Sequence, residues 1–554
     1  MSVIELGKKT AAYLLGCGLV VVLSACTVSP QPLTDNEIVR EIEADQQAIF
    51  TGQEPIAGPM SLNDAMARAL KYNLENRVKL MEEAMAWKNF DLAKTDMLPT
   101  LAASGGYLDR SNEDASRSIS VLTRRESLEP STSQEQDRLN ADIRLSWNVL
   151  DFGVSYLQAK QDADNILISQ QTRKKVMLNL LQRVRLAYWR AVAMNSMRDE
   201  LTIISTKTNA MLEKLQKVRA EQLRTPVAIL MDIRGLVETS QRLDQIQHSI
   251  NVSKKELASL INVPMANEIP LLRDDVLEPM ALISDDLDAF ERTALLHSAD
   301  YVNQIYSVRI DQLETRKALA RLLPGLEFSY GEYYNSNNFL WNSQWGEVGI
   351  RMTSNLSRLI YQDKIRAVRE ANKNVAQARR MAINMAVVSN VHLAWQQYHN
   401  ALQSLDRAEF LNEIDQEISR LSSTAKSTAS GSGIDAIQNE FRAFRSRMAG
   451  LMSYAETQAS YGYFLVSLGI DPVPEDYQAY SLDELAKMLE QGFAGALAEI
   501  APAAMSPPNA GQGHAPILEK PNHPLWKKLN SDSVEARTFL QSSKVMIDYF
   551  DNRS

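Results

Sequence analysis

The feature that most constrains this chain is that it repeats itself. A helical stretch opens at Ser61-Leu62-Asn63 and ends at Leu98-Pro99-Thr100-Leu101. It returns 225 residues later, opening at Asp286-Leu287-Asp288 and ending at Leu323-Pro324-Gly325-Leu326. The same offset pairs Ser104 with Ser329, Gly106 with Gly331 and Asn112 with Asn337. Further on the offset is 207, matching Ile143-Arg144-Leu145-Ser146 to Ile350-Arg351-Met352-Thr353, and Val184, Leu186, Ala187 and Tyr188 to Val391, Leu393, Ala394 and Trp395. At the ends it is 208, where Ser259-Leu260 with Pro264 matches Ser467-Leu468 with Pro472. Chance likeness between helices does not hold so steady an offset over about 200 residues. The drop from 225 to 207 falls inside the polar segment 113–140, and an insertion confined there marks an exposed loop.

Each copy reads as helix, strand, loop, strand, long helix, break, helix. The strands alternate. Ile143, Leu145, Trp147 and Val149 share one face; Asp142, Arg144, Ser146 and Asn148 share the other. In the second copy Leu326, Phe328 and Tyr330 oppose Glu327, Ser329 and Gly331, and Val348, Ile350 and Met352 oppose Gly349, Arg351 and Thr353. A period of two gives one apolar and one wet face. Each run is about ten residues, the length a tilted strand needs to cross a bilayer. Tyr333, Tyr334, Phe339, Trp341 and Trp345 cluster at the strand ends, as an interfacial girdle would. A pair of half-buried hairpins in a soluble domain is the other reading of the same alternation.

The helices add a length argument. From Gly153 to about Gln222 no proline occurs, a rod of roughly 105 Å at 1.5 Å per residue. The stretches 61–97 and 227–262 are each about half as long, and copy two repeats the scheme with 286–322, 357–426 and 434–468. Sparse apolar positions three or four apart, such as Met177, Leu180, Leu181, Val184, Ala187 and Tyr188, suit helix-on-helix packing. The scarcity of glycine (22) and proline (19) in 554 residues fits a mainly helical chain. Four strands cannot close a barrel, and open edges in lipid cost several kcal/mol per unpaired group, so the chain must associate. Two copies give eight strands and a filled interior; three give twelve and room for a lumen.

The amino terminus speaks to location. Lys8 and Lys9 precede an apolar run from Ala11 to Leu23, the pattern of a secretory signal; an uncleaved anchor helix is the alternative, and the run is short for one. Leu23-Ser24-Ala25-Cys26 resembles a bacterial lipobox, which implies cleavage after residue 25, a lipid such as palmitate on Cys26, and, with Thr27 next, the outer membrane. Cys17 and Cys26 are the only cysteines, so a disulfide framework is excluded. The net charge of −9 argues against nucleic acid as a partner.

Together, Ser61-Leu62-Asn63-Asp64-Ala65, Leu98-Pro99, and Ser146-Trp147-Asn148-Val149-Leu150-Asp151-Phe152-Gly153, with the paired endings Leu260–Pro264 and Leu468–Pro472, resemble the TolC-type outer-membrane factor family, lipoprotein branch, over about 59–475. The resemblance implies a mainly α fold with membrane β: a homotrimer whose twelve-stranded barrel, four strands per chain, continues as a periplasmic α-helical barrel. It implies a passive duct for small-molecule efflux or type I secretion of proteins, docked to a periplasmic adaptor (a membrane fusion protein) and an inner-membrane pump, with no catalytic site, cofactor or metal. On this plan residues 1–25 are a signal peptide and 26–58 a linker. The first repeat is 59–264, the inter-repeat equatorial linker 265–285 and the second repeat 286–475, followed by a partly disordered extension, 476–554. Arg144 and Arg351 fall to the barrel lumen.

In that family the helix–helix turns at the rod tips close the tunnel and meet the adaptor. Here the turns are Leu223-Arg224-Thr225-Pro226-Val227 and Ser430-Gly431-Ser432-Gly433-Ile434, with Pro226 and Gly433 matched under the offset of 207. Thr225, Pro226, Val227, Ser432, Gly433 and Ile434 are the adaptor contacts this implies. Asp435, Asp232 and its repeat partner Asn439 are the gate candidates; three copies of Asp435 would form a ring favouring cations. Asp435 equally suits a helix N-terminus, where a carboxylate is stabilised anyway. His392 and His399, seven apart on one helix face, are packing or surface residues before they are metal ligands, and His514 and His523 lie in the tail. No phosphate loop, zinc-protease motif or nucleophile elbow occurs. A non-conducting, lipid-anchored helical tether is the alternative function, and the wet strand faces weigh against it.

Overall fold

The computed structural model describes residues 30–221, 225–272, 283, 286–427 and 433–500. The chain divides after Glu54. In the first unit a helix, α1 (Asp35–Ile49), starts with a capping box in which Thr34 and Glu37 satisfy each other's amides. Every further element belongs to the second unit.

That unit contains two copies of one plan. The first runs α2 (Leu62–Tyr72), α3 (Leu74–Thr95), β1 (Thr100–Asp109), a loop with the small hairpin β2 (Ala115–Ser116) and β3 (Ser131–Thr132), β4 (Asp137–Asn148), α4 (Val149–Ser196), α5 (Arg198–Ala220) and α6 (Pro226–Leu260). The second runs α7 (Leu287–His297), α8 (Ala299–Ala320), β5 (Gly325–Asn335), β6 (Gln344–Thr353), the short α9 (Ser357–Ile360), α10 (Gln362–Ser427) and α11 (Gly433–Ser467). A 3-10 turn at Tyr477–Ala479 and α12 (Leu482–Ile500) follow.

The four long strands form one antiparallel sheet in the order β1-β4-β5-β6. Beneath it the helices follow the same order: α3 packs on α4, α4 on α8, and α8 on α10. The two copies therefore meet along β4–β5 and α4–α8. The α4–α8 seam is polar. Arg309 grips the buried Asp164, with Nε donating at 2.9 Å. Lys317, itself buried, donates to Gln158 at 2.7 Å and Gln161 at 2.8 Å, while Gln161 donates to the Ile310 carbonyl at 3.0 Å. A charge this deep persists because each donor has an acceptor. The main apolar core lies further along, where Met66 and Leu70 of α2, Leu180, Val184 and Tyr188 of α4, Leu257 of α6 and Tyr454 of α11 pack together.

Three differences from the sequence-based expectations have physical causes. The stretches 61–97 and 286–322 are each broken once, at Asn73 and Ser298, positions that match under the offset of 225. Both residues are extended (ψ 127° and 116°) and each side chain caps the following helix, accepting from the Asn76 and Tyr301 amides. The rod from Gly153 is interrupted at Met197, which is buried beside Leu201 and Ile204, and the Ser196 hydroxyl donates to the Ala193 carbonyl at 2.8 Å, a local bond that competes with helix continuation. The insertion at 113–140 is not featureless: it carries β2–β3, and the buried Asn337 pins its base by donating to the Ser133 carbonyl at 3.0 Å and accepting from the Glu135 amide at 3.1 Å.

The segment after Pro472 packs into the main core. Leu485, Ala486 and Leu489 of α12 and the Tyr477 ring are buried with Met66 and Leu70. The Tyr477 hydroxyl accepts from Asn76 at 3.0 Å, and Lys71 donates to the Tyr480 carbonyl at 2.5 Å. Residues 501–554, which hold His514 and His523, lie outside the described residues, as does the signal with Cys26.

Candidate functional site

The sheet register sorts side chains into rows. One face carries Leu101, Leu145, Tyr330 and Val348 in a row, then Trp147, Phe328 and Ile350, then Leu326 opposite Met352. These side chains stand well out of the chain's own core: Leu101 is 69% exposed and Val348 78%. The opposite face carries Thr100, Ser146, Ser329 and Gly349, then Ala102, Arg144, Gly331 and Glu347, then Asn148, Glu327 and Arg351. The proposed lumen residues Arg144 and Arg351 thus sit on the polar face. Arg351 stands directly across from Glu327, an opposite-charge cross-strand pair. Four strands agree on one register, so the polarity belongs to the sheet and not to a single strand.

Two aromatics depart from the girdle expectation. Tyr333 and Trp345 lie opposite each other on the polar face, in line with Ser104 and Asp142. Counting by twos from Glu327 and Arg351 gives their side, a signal available in the sequence and overridden by their position near the strand ends. Tyr334 is on the apolar face, and Trp341 is almost fully exposed in the loop between β5 and β6. The apolar face also carries carboxylates toward the strand ends: Asp109 opposite Asp137, and Glu332, which accepts from the Tyr330 hydroxyl.

At the far ends of the rods, α6 starts with Pro226 at its first position, where the missing N–H is no loss, and Thr225 is its extended N-cap. Val227 is exposed. Ile434 is not a free tip residue: it is buried with Leu215, Leu236 and Ile437, the cluster that ties α5, α6 and α11 together. Gly433 opens α11, and Asp435 is exposed in its first turn. Asp232 is half-buried one turn into α6. Asn439 spends its amide on neighbours, donating to Ser422 of α10 at 3.1 Å and accepting from Arg442 at 3.5 Å. Leu223, Arg224, Ser430, Gly431 and Ser432 lie outside the described residues. Close by, α5 is linked to α11 by Lys207 to Glu440 and by Arg447 to Glu200.

His392 Nε2 donates to the Glu291 carboxylate at 2.7 Å, and His399 packs on Trp395 with ring centroids 4.1 Å apart and planes tilted by 49°. The first is a surface polar pair between α7 and α10 and the second a packing contact. Among the described residues no group of three His, Cys, Asp or Glu is placed to hold a metal, and no helix is long and apolar enough to cross a membrane.

No family model and no curated protein matches this chain. Solved structures do. The Campylobacter jejuni CmeC outer membrane channel superposes with a TM-score of 0.59 at 12% identity, over 84% of this chain and 97% of that one. The outer membrane protein VceC of Vibrio cholerae gives 0.55 at 14%, over 74% and 96%. The open state of the Neisseria gonorrhoeae MtrE outer membrane channel gives 0.56 at 16%, over 74% and 88%. At such identities the likeness is one of fold. The fold is that of the outer-membrane channels: a helical barrel segment below a segment of β-barrel wall.

Proposed function

We propose that this protein is the outer-membrane channel-tunnel of a tripartite export system, a passive homotrimeric duct. The single observation that carries this reading is the agreement of four strands on one apolar and one polar face. A tether has no use for an aligned wet face, whereas a barrel with water inside requires it. The sheet has open edges at β1 and β6, and an open edge in lipid is untenable; three copies would join β6 to the next β1 and close twelve strands.

The helices beneath those edges support the same partner. On α3, Leu74, Val78, Met81, Met85 and Leu92 are exposed at steps of three, four and seven. On α10, Val368, Ala371, Val375, Ala378, Ala382 and Met385 repeat the pattern and are exposed as well. A 3.5-residue seam is what a neighbouring helix packs into. The seams flank the layer α3-α4-α8-α10, so one copy's α10 fits against the next copy's α3.

A lipid on Cys26 would anchor the chain in the outer membrane with its rods in the periplasm. The tips Thr225, Pro226, Val227, Ser432 and Gly433 would meet the adaptor, and through it the pump. Asp435 and Asp232 would narrow the aperture. Small-molecule cargo suits the lipoprotein branch; a type I secretion substrate fits the same duct. In planar bilayers the purified protein should give single-channel conductance, and Asp435→Ala with Asp232→Ala should raise it and weaken block by divalent cations. Absence of conductance from heat-modifiable trimers would leave the tether reading standing, and unchanged currents in the double variant would remove the gate assignment.

A further inference from the structure

The rings of Tyr333 and Trp345 stack with centroids 5.6 Å apart and planes 13° from parallel. The stack is built against bare backbone: a Cβ on Gly331 would come within 2.7 Å of the Tyr333 ring, so the ring lies down over a position that only glycine leaves open. Trp345 keeps 39% of its surface exposed. Two carboxylates and one guanidinium surround the pair on the same face. Asp142 is the cross-strand neighbour of Tyr333 and accepts from the Ser104 hydroxyl; Arg144 and Glu347 flank Gly331 one row nearer the helices. The face is therefore an aromatic platform with a net negative surround, near the strand ends remote from the helices.

We propose that this platform is a binding site on the inner wall of the channel for flat organic cations, a way-station at the outer mouth. The inference rests on the channel reading above. A planar aromatic cation gains stacking and cation–π attraction on an indole face, tryptophan being the best of the aromatic partners. Asp142 and Glu347 outweigh Arg144, and symmetry repeats that surplus around the pore, which holds cations. A lipid-facing girdle would instead place these rings on the Val348–Ile350 side.

The test is block of single-channel current by ethidium, a planar aromatic cation, with tetrabutylammonium as a cation that cannot stack. Ethidium added on the side of the strand ends should give block dwell times that fall roughly five- to thirtyfold in Trp345→Leu, while tetrabutylammonium dwell times and the open conductance stay as they were. Gly331→Ala keeps both aromatics but displaces the Tyr333 ring, and should shorten ethidium dwell in the same direction; Trp345→Phe should restore part of it. Conductance with ethidium dwell unchanged in Trp345→Leu and Gly331→Ala overturns the proposal alone. No conductance from any form overturns the channel reading and the proposal with it.

Discussion

At the residue scale, capping decides where this chain's helices begin. Ser61 and Asp64 form a full capping box at the start of α2, with the Asp64 carboxylate accepting from the Ser61 amide at 2.9 Å and hydroxyl at 2.7 Å. Ser61→Ala should lower stability by about 1 kcal/mol (range about 0.5–2) and Ser61→Thr by less, read as the shift of the thermal unfolding midpoint in detergent. Ser481 and Glu484 repeat the device at the start of α12. Hydrogen bonds from the Ser481 amide and hydroxyl hold Glu484 below the ordinary carboxylate value of 4.5. A depressed carboxylate contributes stability above its unfolded value and loses it as the pH falls through the lowered one. Protease cleavage within 480–500 should therefore rise as the pH drops below about 4.5, and Glu484→Gln should flatten that dependence. The helix start at Ser61-Leu62-Asn63 was legible as sequence. The breaks at Asn73 and Ser298 were not, because neither carries the proline or glycine that usually advertises a stop; each is an ordinary polar residue whose side chain caps the next turn.

Elements show the same division. The strands and their facing were readable, since a period of two in Ile143, Leu145 and Trp147 survives whatever the sheet pairs with. The pairing of β4 with β5 was not, because nothing in one strand's alternation names its neighbour. Nor was the docking of α12, which depends on Tyr477, Leu485 and Leu489 finding α2 some four hundred residues earlier in the chain. Leu489 is fully buried. Leu489→Ala should cost about 2–5 kcal/mol and release α12 to proteolysis while the strands stay protected; equal protection in both forms would mean the helix is not held by this core. The seams on α3 and α10 carry their own prediction. Met85→Glu or Val375→Glu puts a charge into the proposed contact between copies, and should shift detergent-solubilised protein from trimer to monomer by light scattering. A trimer unaffected by either change would place the subunit contact elsewhere.

For the whole molecule, the governing fact is that a single copy offers four strands and an open sheet, which in the proposed trimer is a third of a closed wall. Its sheet has two free edges, its apolar face is bare, and the flanking helices end in exposed apolar seams. The proposed association into a cylinder would resolve all three at once, putting lipid on the Leu145–Ile350 side and water on the Ser146–Ser329 side. Cysteine scanning in reconstituted vesicles tests this most directly. In a Cys26→Ser background, so that no other thiol of the mature chain can react, single cysteines at 144, 146, 329 and 349 should react with a membrane-impermeant, charged thiosulfonate and reduce conductance, whereas cysteines at 145, 328 and 350 should stay unreactive. Reaction at both sets alike, or at the apolar set alone, would contradict a water-filled barrel built from these strands.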